Sequence, residues 1–181
     1  MTRSLPSIKR QTYRSFECLV VSDGYEVETA RELKELHSQD RRFIYLPLPE
    51  HKGGWGAPCR TFGAHYAKGE IVAYLDDDNA WRENHLELLD NAFQDLNVDF
   101  AFTQMKIVVT GQVVGSEPKV GFIDSSIMAH RRGTLERYGN WPQEDATYVQ
   151  DGETAELWAR SGARWSCVPQ VTVDYYTDSR R

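Results

Sequence analysis

The sequence predicts an α/β fold, a mostly parallel sheet flanked by helices. Three observations predict it. Short apolar runs, FECLVV (16–21), FIYL (43–46) and IVAYL (71–75), alternate with stretches patterned as amphipathic helices, the element order of a parallel sheet with helical crossovers. Each run ends in turn-forming or acidic residues, Ser22-Asp23-Gly24, then Pro47 and Pro49, then Asp76-Asp77-Asp78. The 181 residues, 40% of them hydrophobic, suffice for one buried core and one domain spanning 1–181.

Taken in order, Phe16 to Val21 reads as a strand. Val27, Ala30, Leu33 and Leu36 recur at three-residue spacing, a helix face. Phe43 to Leu46 is a second strand. The Gly-rich loop HKGGWGAP then leads to a helix opening near Pro58, a residue suited to the first helical turn, and ending at Lys68-Gly69. The run 71–75 reads as a fully buried strand, followed by a helix from about Glu83 to Phe93. Beyond it, Asp99–Met105 and Ile107–Val114 read as two strands around a turn at Thr110-Gly111. Phe122–Ala129 reads as another strand, and Arg132–Tyr138 as a short helix. The turn-rich GNWPQED precedes a helix from Asp151 to Ser161, and Val168–Tyr176 closes the chain as a strand.

Composition excludes several functions. A formal net charge of −6 argues against nucleic acid as a partner, which calls for a basic face. No apolar run reaches the length of a membrane span, and the first residues lack the apolar core of a signal peptide. Cys18, Cys59 and Cys167 are odd in number and lie in or beside apolar segments. Buried free thiols and a reducing, cytoplasmic setting are therefore expected, and a homo-oligomer is compatible with the sequence.

The most informative stretch is IVAYLDDDNAW, 71–81. Three adjacent carboxylates at the end of a buried strand repel one another unless a cation sits among them. Hard oxygen ligands suit Mg²⁺ or Mn²⁺, and strand carboxyl ends are where open α/β sheets hold ligands. The alternative is an acidic turn capping the next helix through Asp78 or Asn79.

These segments resemble the family 2 glycosyltransferases of the GT-A fold. SIKRQTYRSFECLVVSDG (7–24) is similar to that family's helix ending in "QTY" followed by a strand and an acidic turn. GAPCRTFGAHYAKGEIVAYLDDDNAW (56–81) resembles its Gly-Ala-x-x-Arg-Asn-x-Gly block running into an Asp-x-Asp strand. DGETAELWARSGARW (151–165) resembles its "Glu-Asp … Leu-Trp-x-Arg … Gly" helix. The family's usual opening strand, whose turn holds the nucleotide base, has no counterpart before TRSLPSIKRQTY, so the likeness is either to a trimmed version or to a domain whose sequence here begins late. Gln150 and Thr61 stand where the family commonly has Glu and Asn.

The resemblance implies metal-dependent, inverting transfer of a sugar, a hexose in many members, from a nucleotide-diphosphate sugar such as a UDP-sugar to a saccharide or other hydroxyl acceptor. It makes Asp78 the metal ligand, with Asp76 on the metal's water or the ribose and Asp77 beside the donor. Asp23 and Arg60 fall to the donor, and Asp151 to the general base, with Glu144 and Asp145 as rivals. A carboxylate at a helix start feels the positive end of the dipole, which predicts a lowered pKa for Asp151. Asp124 and His130 bracket an apolar run: the imidazole suits a metal ligand or a structural histidine, and Asp124 an acceptor contact. Among Trp81, Trp141 and Trp158, the loop residue Trp141 is the expected acceptor platform, and Trp158 a core residue.

Two other enzymes are disfavoured. An Asp-x-Asp-x-Thr phosphatase would have Thr or Val where Ala80 stands, and a nucleotidyltransferase an N-terminal Gly-x-Gly-x-Arg loop. The remaining alternative is a degenerate domain that binds a nucleotide sugar or glycan without turning it over.

Overall fold

The structure, a computed structural model of the chain, describes residues 1–142 and 147–177. After helix α1 (Ser4–Lys9), strand β1 (Cys18–Val20) and strand β2 (Phe43–Tyr45) lie parallel across helix α2 (Val27–Gln39), with Leu19 opposite Ile44. Helix α3 (Ala57–Tyr66) leads to β3 (Ile71–Ala73), and a two-residue strand β4 (Ala80–Trp81), not foreseen from sequence, precedes α4 (His85–Ala92). Then come β5 (Phe100–Ile107), β6 (Val113–Val114), a 3₁₀ turn (Ser125–Ile127), β7 (Met128–Arg131), α5 (Thr134–Tyr138), α6 (Gln150–Arg160) and β8 (Trp165–Tyr175).

The α/β class and flanking helices agree with the sequence; the direction of pairing differs. The larger sheet runs β3-β7-β5-β8-β4, with β6 added on β5. Among the described residues, β1–β2 and β5–β8 pair parallel, and β3–β7, β5–β7, β5–β6 and β4–β8 antiparallel. The connections explain this. From β5 to β7 the chain makes a hairpin and a 3₁₀ turn but no helix, so it returns antiparallel. The crossover through α5 and α6 brings β8 back parallel to β5.

Burial follows position in the sheets. β5 lies between β7 and β8, and Phe100, Ala101 and Phe102 are all 0% exposed. β3 ends its sheet, so Val72 and Tyr74 are buried but Ile71, Ala73 and Leu75 only half-buried. β1, an edge strand of the smaller sheet, is half-buried throughout. The 71–75 run was expected to be enclosed, and an apolar run alone cannot show which strand lies at an edge. The strand expected at Phe122–Ala129 begins only at Met128. Asp124 accepts a hydrogen bond from the Ser126 backbone N–H, a local cap that outcompetes the ladder.

The core centres on Phe43, Phe100, Phe102, Ile127, Met128, Trp141 and Trp158. Two close approaches shape its rim. Residues 53–56 hold four successive positive φ angles, 67°, 68°, 50° and 84°, so three glycines flank Trp55 in a tight approach to α3. At Gly152, in the first turn of α6, a Cβ would lie 2.5 Å from the Val120 backbone, so only glycine lets α6 meet the 119–120 loop.

Candidate active site

The end of β3 is held open by its neighbours. Buried Asn79 donates from Nδ2 to Ser126 Oγ (3.0 Å), while its Oδ1 accepts from the Tyr176 backbone N–H (3.0 Å). These bonds fix the turn on which Asp76, Asp77 and Asp78 fan out. Asp77 faces solvent, Asp76 and Asp78 are half-buried, and the Asp78 carbonyl accepts from Arg3 (3.4 Å).

Arg60, from the first turn of α3, is the hub that joins this turn to α6. Its Nη2 donates to Asp76 Oδ1 at 2.9 Å, and its Nη1 lies 3.5 Å from Asp151 Oδ1. Nη1 also donates to the Trp55 carbonyl (3.1 Å), and the guanidinium sits 5.2 Å from the centre of the Trp141 ring. Ser125 closes the loop from the other side. Its backbone N–H donates to Asp151 Oδ2 (3.0 Å) and its hydroxyl to Asp76 Oδ1 (3.3 Å). Arg60, Asp76, Ser125 and Asp151 thus form one continuous ring of polar contacts.

Burial of the Arg60 guanidinium opposes its charge, but Asp76 and Asp151 outweigh that and raise its pKa. Asp151 is 8% exposed, and burial raises its carboxyl above the usual range despite the opposing pull of Arg60. The lowering expected from the helix start does not prevail, because desolvation of a nearly enclosed carboxylate exceeds the dipole's effect. Asp151 Oδ1 is buried without a hydrogen bond among the described residues. Beside it, burial together with Asp76 and Asp151 pushes Asp124 up to about 7.

Asp23 stands at the β1 end, where its carboxylate accepts from the backbone N–H groups of Lys52 (2.6 Å) and Gly53 (2.7 Å) and meets His51 Nδ1 at 2.9 Å. In this state it organises the Gly-rich loop.

Two expected site residues belong to the core instead. His130 is fully buried on β7, its Nε2 against the Tyr74 hydroxyl (2.7 Å) and its Nδ1 against the Arg131 carbonyl (2.7 Å). With both nitrogens engaged, and burial lowering its pKa to about 4, it is a structural histidine and not a ligand beside Asp76 and Asp78. Trp141 is 1% exposed, donates to the Tyr74 hydroxyl (3.1 Å), and packs edge-on against Tyr74 and Trp158, so its ring offers no open face to an acceptor. The exposed tryptophan near the site is Trp55 at 57%. Glu144 and Asp145 lie outside the described residues.

The donor set bears on a metal. Among the described residues no group of three or more His, Cys, Asp or Glu side chains is gathered to hold one. Asp76 and Asp78 present hard carboxylate oxygens of the kind that suit Mg²⁺ or Mn²⁺.

Sequence reasoning missed Ser125, Ser126 and Gln150. Gln150, 2% exposed, donates to the Trp55 carbonyl (2.7 Å) and ties α6 to the Gly-rich loop. The available signal was Asp124 followed by serines, a pattern typical of a side-chain cap.

Comparison with known proteins bears on this site. The chain matches the model of the family described as "Glycosyl transferase family 2" over residues 1–148. It is 31% identical over 115 residues to the Escherichia coli UDP-Glc:alpha-D-GlcNAc-diphosphoundecaprenol beta-1,3-glucosyltransferase WfgD, covering 64% of this chain and 44% of that one. It is 33% identical over 92 residues to the glycosyltransferase GlyG of Streptococcus pneumoniae, covering 51% and 30%. The matches thus span less than half the length of these relatives. Among solved structures, S. aureus TarS superposes with a TM-score of 0.78 at 19% identity, over 97% of this chain and 34% of that one. The mannosyltransferase PcManGT from Pyrobaculum calidifontis, solved with GDP-Man and Mn²⁺, gives 0.78 at 20%, over 98% and 53%. At these identities the structural likeness establishes the fold, that of GT-A glycosyltransferases.

Proposed function

The chain belongs to glycosyl transferase family 2, and on that premise we propose that it transfers a hexosyl group from a nucleotide-diphosphate sugar to an acceptor hydroxyl, with inversion at the anomeric carbon. The observation that carries this reading is the Arg60–Asp76–Ser125–Asp151 ring, which sets a buried carboxylate with a raised pKa beside the carboxylates at the strand end. Asp151 accepts the proton of the acceptor hydroxyl as its oxygen bonds to the anomeric carbon. The bond from that carbon to the diphosphate breaks, and the nucleoside diphosphate leaves. A raised pKa brings the base nearer to neutral pH, where proton transfer is most effective. Arg60 offers its charge to the diphosphate, exchanging the Asp76 contact for a phosphate one. Asp76 and Asp78 would hold Mn²⁺ or Mg²⁺ against that diphosphate, and such a metal, when bound, offsets the charge of the leaving group. Asp23 and Asp77 complete the donor side. A UDP-sugar is supported by the name of the E. coli relative and by TarS, solved with UDP and with UDP-GlcNAc.

The test is Asp151→Asn, which keeps the side chain's size and one acceptor oxygen but cannot take up the proton. Turnover should fall by roughly 10²–10⁴ while affinity for the donor with Mn²⁺ stays near the parent's. A product with the donor's own anomeric configuration would refute the single displacement. Full activity of the variant would remove Asp151 as the base. Binding of the nucleotide sugar without any turnover by the parent, across donors and acceptors, would leave a binding module instead of an enzyme.

A further inference from the structure

Among the described residues, Trp55 is the one non-glycine residue with a positive φ, at φ 50° and ψ 32°. A bulky side chain in that left-handed region is an outlier, and such strain persists only where the surrounding structure imposes it. The imposing contacts lie on both sides. Upstream, Asp23 accepts from the Lys52 and Gly53 backbone N–H groups. Downstream, the Trp55 carbonyl accepts from Gln150 Nε2 at 2.7 Å and from Arg60 Nη1 at 3.1 Å. Gly56 then lies over the guanidinium, where a Cβ would sit 3.4 Å from Nη1. Glycine would meet the same backbone demands without strain, so the turn gives no reason for an indole. The core gives none either. Trp55 is 57% exposed, and among the described residues its ring joins no hydrogen bond, ring contact or core cluster. Trp81, Trp141 and Trp158 are buried, and the half-exposed Trp165 covers Phe102 with ring centroids 5.7 Å apart. The Trp55 backbone is instead one hydrogen bond from each of two residues that flank Asp151. Arg60 Nη1 lies 3.5 Å from Asp151 Oδ1, and Gln150 precedes Asp151 in α6.

We propose that Trp55 is a specificity-determining residue of this site, its indole stacking on the face of a pyranose ring that meets Asp151. The proposal rests on the assignment of Asp151 as the base. A pyranose carries faces of C–H groups rimmed by hydroxyls. An indole, apolar across its face with a polar N–H at its edge, matches both parts. A ring on a loop tethered at both ends also gives up little freedom on binding, and that keeps the cost of the contact low. Both sugars of a transfer reaction come together at the base, so the pyranose is the acceptor's or the donor's, and the experiment separates the two.

Trp55→Gly removes the ring and relieves the strain, and Trp55→Phe keeps a smaller ring. Calorimetry with UDP and with UDP-glucose, in Mn²⁺, reads the donor side. Ligand-observed NMR of methyl β-D-glucoside, with UDP and Mn²⁺ present, reads the acceptor side. Trp55→Gly should weaken at least one of the two glucose-bearing probes by roughly five- to thirtyfold and leave UDP within about twofold. Trp55→Phe should recover part of that loss. A loss confined to methyl glucoside assigns the ring to the acceptor, and one confined to UDP-glucose assigns it to the donor's hexose. The Tm of Trp55→Gly should hold or rise, because relief of left-handed strain outweighs the freedom glycine gains in the unfolded chain. A lower Tm with equal losses for UDP and UDP-glucose would make the ring structural and overturn the proposal. So would unchanged affinity for both glucose probes, or no measurable binding of either by the parent. UDP binding separates this inference from the reading beneath it. A parent that binds methyl glucoside through Trp55 but takes no UDP would sink the donor assignment alone, whereas UDP and UDP-glucose binding indifferent to Trp55, with methyl glucoside equally indifferent, would sink the stacking alone.

Discussion

Replacing Asp124 with Asn should make the free protein more stable, and by an amount that depends on pH. The carboxyl is pushed up to about 7 from an ordinary 3.8, chiefly by burial and then by Asp76 and Asp151. Between those two values the folded state holds a proton that the unfolded state has released. Stability therefore declines as pH rises through that window, and the penalty is complete above about pH 7. At ~1.4 kcal/mol for each pH unit of the window, the full difference amounts to roughly 4 kcal/mol. Relaxation around the carboxyl reduces this to about 2–3 kcal/mol at pH 8. Asparagine keeps an oxygen to accept from the Ser126 N–H, so the 3₁₀ turn retains its cap and the variant isolates the charge. Urea unfolding at pH 8, 6 and 4 provides the assay. The variant should gain most at pH 8, less at pH 6, and be close to the parent at pH 4. A variant less stable than the parent at pH 8, or a difference that does not change with pH, would refute the account of Asp124 as a half-buried charge crowded by its neighbours.

Two further outcomes test how the site is supported. Trp141→Ala removes a ring that is 1% exposed, its N–H bond to Tyr74 and the surface over which Arg60 lies, so unfolding free energy should drop by about 3–5 kcal/mol. A well-folded variant defective only toward acceptor would restore Trp141 as a binding platform. Gly152→Ala drives a methyl group into the Val120 backbone and should cost about 1–3 kcal/mol, read as a lower Tm. An unchanged Tm would mean that the 119–120 loop yields freely.

The sequence by itself determined most of the order of strands and helices, β4 excepted, together with the acidic end of β3, the Gly-rich approach to α3, and the placement of Asp151 at the start of α6. Each of these is written within a short window, as hydrophobic period, turn chemistry or a helix boundary, and such signals survive without knowledge of the rest of the chain. Only the tertiary structure decided how those pieces meet. Arg60 and Asp76 are 16 positions apart, Ser125 and Asp76 are 49, and Gln150 and Trp55 are 95, yet all are in hydrogen-bond contact. The same packing buries His130 and Trp141, two residues whose chemical types alone suit a metal and a sugar equally well. It also reverses the expected lowering of the Asp151 pKa, because helix position is a local property while desolvation is the sum of everything folded around the carboxyl. Sheet direction follows the same division. The pattern of apolar runs marks where strands lie, but whether neighbours run parallel depends on which connections cross over, and that is settled only when β7 and β8 take their places on either side of β5.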